Sequence, residues 1–169
     1  MTTKVVKRKT ATKSRKTKDV GQWNPKLVVF ACNWCSYAGA DTAGVARLEH
    51  DPNFRMIRVM CSGRIQPGFV LKAFEKGADG VLVSGCHFGD CHYIFGNERA
   101  VEQFDKTMDL VKILGIEEGR LRLEWISAAE GVRFAEVINE FMGQLRELGP
   151  SPLGKAGEPD VPKDVISDA

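Results

Sequence analysis

The apolar positions fall into four short runs separated by longer stretches with helical spacing. Residues 26–31 (KLVVFA), 55–60 (RMIRVM), 79–84 (DGVLVS) and 121–126 (LRLEWI) are compact segments rich in Val, Leu and Ile, and predict buried strands. Residues 38–48 offer Ala43, Val45, Ala46 and Leu48 for a helix face. Pro67 suits a first helical position ahead of Val70, Leu71 and Phe74, with Gly77 as the stop. Val101, Phe104, Met108, Val111 and Leu114 recur at spacings of three and four, as do Phe134, Ile138, Phe141 and Leu145 before Gly149-Pro150. Ser127 and Glu130 have the spacing of a capping box for that last helix. Strands that alternate with helices pair in parallel through crossovers. The predicted fold is α/β: a three-layer sandwich with a four-stranded parallel sheet, flavodoxin-like, in the order 2-1-3-4. No internal repeat is visible.

The two ends break this pattern. Eight basic residues stand against Asp19 alone in the first twenty positions, interleaved with Thr, Ser and Ala. They offer little to bury, which predicts a disordered basic tail over 1–22. As a functional element it would suit an acidic partner or nucleic acid; as a bland one it is a solvated extension, and nothing else in the chain supports nucleic-acid binding. Four of the seven prolines fall after Gly149, so 150–169 reads as a flexible Pro/Gly-rich tail. The structured domain is expected over 23–149. The chain has 169 residues, 43% hydrophobic and 27% charged, with no apolar run of membrane-spanning length and no secretory h-region, so a cytoplasmic protein without a membrane span is expected.

The five cysteines change the picture most. They follow the pattern C-x2-C, C, C-x4-C: Cys32, Cys35, Cys61, Cys86 and Cys91. An odd count without a secretory signal argues for metal or redox use rather than a disulfide framework. All five fall at or just beyond the carboxyl ends of the first three predicted strands, the edge where open α/β sheets bind ligands. Cysteines acting only as small buried hydrophobes would also appear in mid-strand and on helix faces. Zinc in a closed tetrahedron, a thioredoxin-type C-x-x-C with Cys35 near a helix amino end, and an iron–sulfur cluster drawing thiolates from distant segments all remain open.

The neighbours add detail. Ser36, Gly39, Ser62, Gly63, Gly85 and Gly89 let backbone N–H groups approach bridging sulfides, or else mark ordinary strand–helix turns. Trp34 could shield a metal from water, and Arg64, less so Arg58, could offset the charge of four thiolates. Ser62, Gly63, Arg64 and Trp34 are thus the candidate cofactor-binding residues beside the cysteines. His87 and His92 would be needed as ligands only in a Rieske-type site. His50 reads as an exposed turn residue, and Glu117, Glu118 and Glu136 as solvated. No dinucleotide fingerprint, P-loop or nucleophile elbow is present.

FACNWCSYAGAD (30–41), RVMCSGR (58–64), ADGVLVSGCHFGDCHYIFGN (78–97) and RLEWISAAEG (122–131) closely resemble the small iron–sulfur (delta) subunit of methyl-viologen-reducing hydrogenases. The resemblance runs from about residue 23 to 150; the basic extension and the proline-rich end lie outside it. It implies one 2Fe-2S cluster and an electron relay between a hydrogenase, or a formate dehydrogenase, and the flavin subunit of a heterodisulfide-reductase-type complex. It makes all five cysteines ligand candidates with one to spare, Cys86 or Cys91 being preferred as the spare because they share a short loop. No substrate chemistry is expected on the chain itself. The first helix is expected to aim its positive end at the cluster. A zinc-stabilised scaffold and a thiol–disulfide oxidoreductase using Cys32 and Cys35 are the rival readings.

Overall fold

A computed structural model describes residues 23–153. The expected tails over 1–22 and beyond residue 153 lie outside the described residues. Four strands, β1 (Leu27–Cys32), β2 (Phe54–Val59), β3 (Gly80–Gly85) and β4 (Leu121–Trp125), form one all-parallel sheet in the order β2-β1-β3-β4. Helices α1 (Ser36–Val45), α2 (Pro67–Glu75), α3 (Gly96–Ile113) and α4 (Gly131–Leu148) alternate with them. The predicted α/β sandwich and its strand order are therefore correct.

The alternation of side chains along each strand divides the core. On one face Leu27, Val29 and Leu82 pack with Phe134, Ile138 and Phe141 of α4, and Ala43 of α1 joins them. On the other, Phe30, Val81 and Val83 pack with Val70 and Phe74 of α2 and Val111 of α3. Each fully buried side chain of this size stabilises the fold by roughly 1.5–3 kcal/mol relative to exposure. β1 and β3 are central and nearly uniformly buried, whereas β2 is an edge strand with alternating exposure.

The first strand runs one residue later than its apolar run. Lys26 donates its N–H to Asp79 Oδ2 at 2.8 Å, so it lies outside the ladder, while Cys32 pairs with Val59 inside it. The capping box is also displaced. Ser127 does not cap α4; Glu130 stands at the cap position, and its carboxylate accepts the Ser127 N–H at 2.6 Å. Residues assigned to the loose end are tied down as well: Ser151 is buried and donates its N–H to Asp79 Oδ1 at 2.9 Å, and Leu153 packs on the α2–α3 face.

Arg120 holds this corner together. It is wholly buried just before β4. Its Nε donates to Glu117 at 2.6 Å, and its Nη atoms donate to the carbonyls of Asp79, Leu148, Gly149 and Pro150 at 2.8–3.3 Å. Glu117 is therefore not simply solvated: the Arg120 guanidinium lowers its pKa. Glu118 pairs with Lys112 at the surface, and Glu136 is exposed.

Candidate metal centre

In a parallel sheet every strand points its carboxyl end to the same edge, and the thiols follow from that. Cys32 is the last residue of β1. Cys35 is the cap residue directly before α1. Cys61 precedes a 3-10 turn at Ser62–Arg64, two residues beyond β2. Cys86 follows β3, and Cys91 lies in the loop leading to α3. Because β1 lies between β2 and β3, distant segments meet at one rim.

The ligand atoms of Cys32, Cys35 and Cys86 lie within 4.8 Å of one another, all three buried. Cys32 Sγ is 3.7 Å from Cys86 Sγ. Cys35 and Cys86 are joined as a disulfide with Cα atoms 5.3 Å apart; the C-x-x-C pair itself is not bonded. Cys61 and Cys91 form a second pair. Burial raises the Cys61 pKa above its ordinary value, the Gly63 N–H partly restores it, and the neighbouring Cys91 and Cys32 raise it further. Cys61 thus connects the two groups, and Cys91 is the only one of the five that is not buried.

The cradle around the second pair is built from backbone. A Cβ on Gly96 would overlap Cys61 Sγ and lie 3.0 Å from Cys91 Sγ. A Cβ on Gly63 would sit 2.5 Å from the carbonyl oxygen of Gly96. The turn after β2 and the start of α3 therefore meet as bare backbone. Gly63→Ala must push them apart, and we expect a lower melting temperature together with weaker metal retention, measured by thermal unfolding and metal analysis of the same preparation.

Ser62 is buried with its hydroxyl against Gly85, and Ser36 donates to the Gly85 carbonyl at 3.3 Å. Trp34 is largely exposed and stacks on His92 with centroids 3.8 Å apart. Arg64 is exposed beside Cys61, and Arg58 lies over the Tyr37 ring at 5.1 Å. His50 is not an exposed turn residue: it is half-buried, edge-on to Phe54 and Phe134.

His87 does not turn to the thiols. Its Nε2 donates to Glu130 at 2.6 Å. Glu130 is held at a pKa of about 2, first by the Ser127 N–H and then by His87. A carboxylate depressed in the folded state adds stability above its unfolded pKa of 4.5, and that stability is lost as the pH falls through about 2. Glu130→Gln should flatten the loss of stability between about pH 4.5 and 2, read by denaturant unfolding at each pH. The effect is modest, because both side chains are about two-fifths exposed.

Sequence reasoning missed Gly96 and Asn97. Asn97 is buried and donates to the carbonyls of Cys86 and His87 at 3.4 and 2.8 Å, fixing the loop that carries the last two cysteines. The signal was the Phe-Gly-Asn step at the start of a helical pattern, easily read as a plain turn.

The donor set suits a soft metal. Sulfur dominates the donors that converge at the rim, and the Glu130 carboxylate there is taken up by His87 and Ser127, which favours iron–sulfur or zinc over hard cations. A thiol that coordinates a metal is deprotonated, so a bound cation would reverse the upward shift at Cys61.

Comparison with known proteins places these features in company. A family model described as methyl-viologen-reducing hydrogenase, delta subunit, matches residues 27–149. The chain is 52% identical over 131 residues to the vhc iron-sulfur subunit of the F420-non-reducing hydrogenase of Methanococcus voltae, covering 78% of this chain and 91% of that one. It is 51% identical over 129 residues to the iron-sulfur subunit of the F420-non-reducing hydrogenase of Archaeoglobus profundus, covering 76% and 94%. One subunit of the ferredoxin/F420H2-dependent CoB-CoM heterodisulfide reductase of Methanosarcina acetivorans is 52% identical over 126 residues, which cover 75% of this chain but only 16% of that longer one.

Proposed function

Because the chain belongs to the family of methyl-viologen-reducing hydrogenase delta subunits, we propose that it is the electron-transfer subunit of an oxidoreductase complex and holds a 2Fe-2S cluster at the cysteine rim. The observation that carries this reading is the convergence of Cys32, Cys35 and Cys86 within 4.8 Å, with Cys61 alongside. We assign these four, as thiolates with the Cys35–Cys86 bond reduced, as the ligands, and Cys91, half-buried and outside the trio, as the spare. Of the two candidates for the spare, Cys86 is the one drawn into the buried trio.

When bound, such a cluster supplies one-electron exchange without breaking a bond in a substrate. The chain's own part is to hold and shield. Buried Cys32 and Cys86 keep water from one side. The amino end of α1 begins directly after Cys35 and favours negative charge there. Ser36, Ser62 and Gly63 keep the surrounding backbone close, Arg64 adds positive charge at the edge, and Trp34, next to Cys35 in sequence, is held in place by stacking on His92.

The partners follow from the relatives. Relatives named as hydrogenase iron-sulfur subunits and relatives named as heterodisulfide reductase subunits both carry this domain. A relay from a hydrogenase, or a formate dehydrogenase, to a flavin-containing heterodisulfide-reductase-type protein accounts for both contexts. Among the described residues no helix is long and apolar enough to cross a membrane.

The test is anaerobic purification of the full chain, iron and sulfide counts, and electron paramagnetic resonance after dithionite reduction. Two irons, two sulfides and a one-electron signal are expected; a colourless, fully folded protein with one zinc would assign a scaffold instead. The Cys35–Cys86 disulfide favours a second reading, thiol–disulfide exchange, with Cys86 rather than Cys32 as the partner of Cys35. Under exchange, Cys61→Ala keeps redox activity; under the relay it does not.

A further inference from the structure

We propose that the notch beside Cys61, framed by Arg64 and Arg99, is the docking point for a carboxylate-bearing surface of the partner protein in the complex; this rests on the electron-transfer reading above. The notch has a volume of about 350 Å3 and is lined by Met60, Cys61, Arg64, Tyr93, Phe95 and Arg99. It brings the molecular surface to a thiol of the proposed centre.

Three observations point to a protein partner of this charge. The first is the arginines. On the β4–α4 side, Arg120, Arg122, Arg133 and Arg146 each pair with a carboxylate. Arg64 and Arg99 are exposed and have no ion-pair partner among the described residues, and Arg58 on the same rim has none either. Arg99 is instead held over the Phe95 ring at 5.0 Å, which fixes its position and leaves its donors free.

The second is the apolar surface. Met60, Tyr93 and Phe95 are each about half exposed, and Ile94 is 79% exposed. Exposed aromatic and arginine side chains beside one cavity have the composition of an interface centre rather than of open surface.

The third is Ile94 itself, which has φ +73°, a conformation that β-branched residues avoid. The neighbouring turn, in which Cys91 O accepts the Ile94 N–H at 2.8 Å, holds the side chain outward. Strain spent on presenting an apolar side chain to water is explained if a partner covers it.

A surface of this kind recruits carboxylates by charge and gains its hold from the rings, so association should be faster and tighter at low salt. It would set the partner's redox group directly over the sulfur rim.

The test uses the full chain and the complex purified anaerobically through it. Arg64→Lys and Arg99→Lys retain the charge and place a primary amine in the notch. A water-soluble carbodiimide then joins that amine to any carboxylate in contact, with mass spectrometry locating the amide. The expected result is a link from position 64 or 99 to an Asp or Glu of a hydrogenase- or reductase-type protein. Arg99→Glu should weaken the complex about tenfold or more and remove much of its salt dependence. Arg47→Glu, an equally unpaired arginine beyond the far end of α1, should do neither. The proposal is overturned if positions 64 and 99 yield no link while the complex is intact, or if Arg99→Glu and Arg47→Glu have equal effects. Iron and sulfide counts on Arg99→Glu separate the two readings: intact iron with a lost partner supports the docking surface, whereas absence of iron in the unsubstituted protein defeats the cluster assignment and leaves the cross-links to decide the surface.

Discussion

If the rim holds the proposed cluster, Cys86→Ser is expected to abolish iron binding, whereas Cys91→Ser is expected to leave most of it in place. Cys86 Sγ is bonded to that of Cys35 and lies 3.7 Å from that of Cys32, so it is central to the buried trio. A serine oxygen is harder than a thiolate and suits this metal poorly. Losing an outer partner of a metal ligand lowers affinity by about 10–100-fold, and losing a ligand should exceed that. Cys91 lies outside the trio and is only half-buried. Iron counts and the reduced-state resonance of the two variants check the contrast. Equal losses would mean that Cys91 is also a ligand, and retention in Cys86→Ser would remove the trio from the centre.

The second large effect is on stability and lies far from the thiols. Arg120→Met should destabilise the fold by about 3–5 kcal/mol. The substitution leaves four main-chain carbonyls without their shared donor, and two of them, Leu148 and Gly149, belong to the end of α4. For a chain of this size the loss corresponds to a fall in melting temperature on the order of 10 °C. Arg120→Lys should recover little, since an ammonium cannot reproduce the planar fork. Denaturant unfolding measures both variants; a loss below about 1 kcal/mol would show that water replaces the guanidinium at this corner.

The difference between these two residues shows what was legible in the sequence. The cysteines were readable because all five fall at or just beyond the carboxyl ends of the first three strands, and parallel pairing sends every such end to the same edge. The strand order followed from the same alternation. Arg120 was not readable, because a charged residue before a strand resembles any other turn residue, and its five partners come from three separate segments. Glu130 was recognised as part of a capping pattern, but its pairing with His87 depends on how the loops after β3 and β4 meet in space. Gly96 illustrates the limit in another way: what gives it importance is the sulfur it would displace, and only coordinates reveal that.

The two oxygens of Asp79 have a wider consequence. One accepts the N–H of Lys26 and the other that of Ser151, so the domain's first and last tethered segments leave from neighbouring points. Lys26 and Asp79 precede β1 and β3, which puts these points at the amino ends of the strands, across the sheet from the sulfurs. A module with adjoining termini on its blunt side can be spliced into a longer polypeptide without disturbing its working edge. The Methanosarcina acetivorans relative, in which the matching stretch is a minor part of one long chain, has the arrangement that such a layout permits.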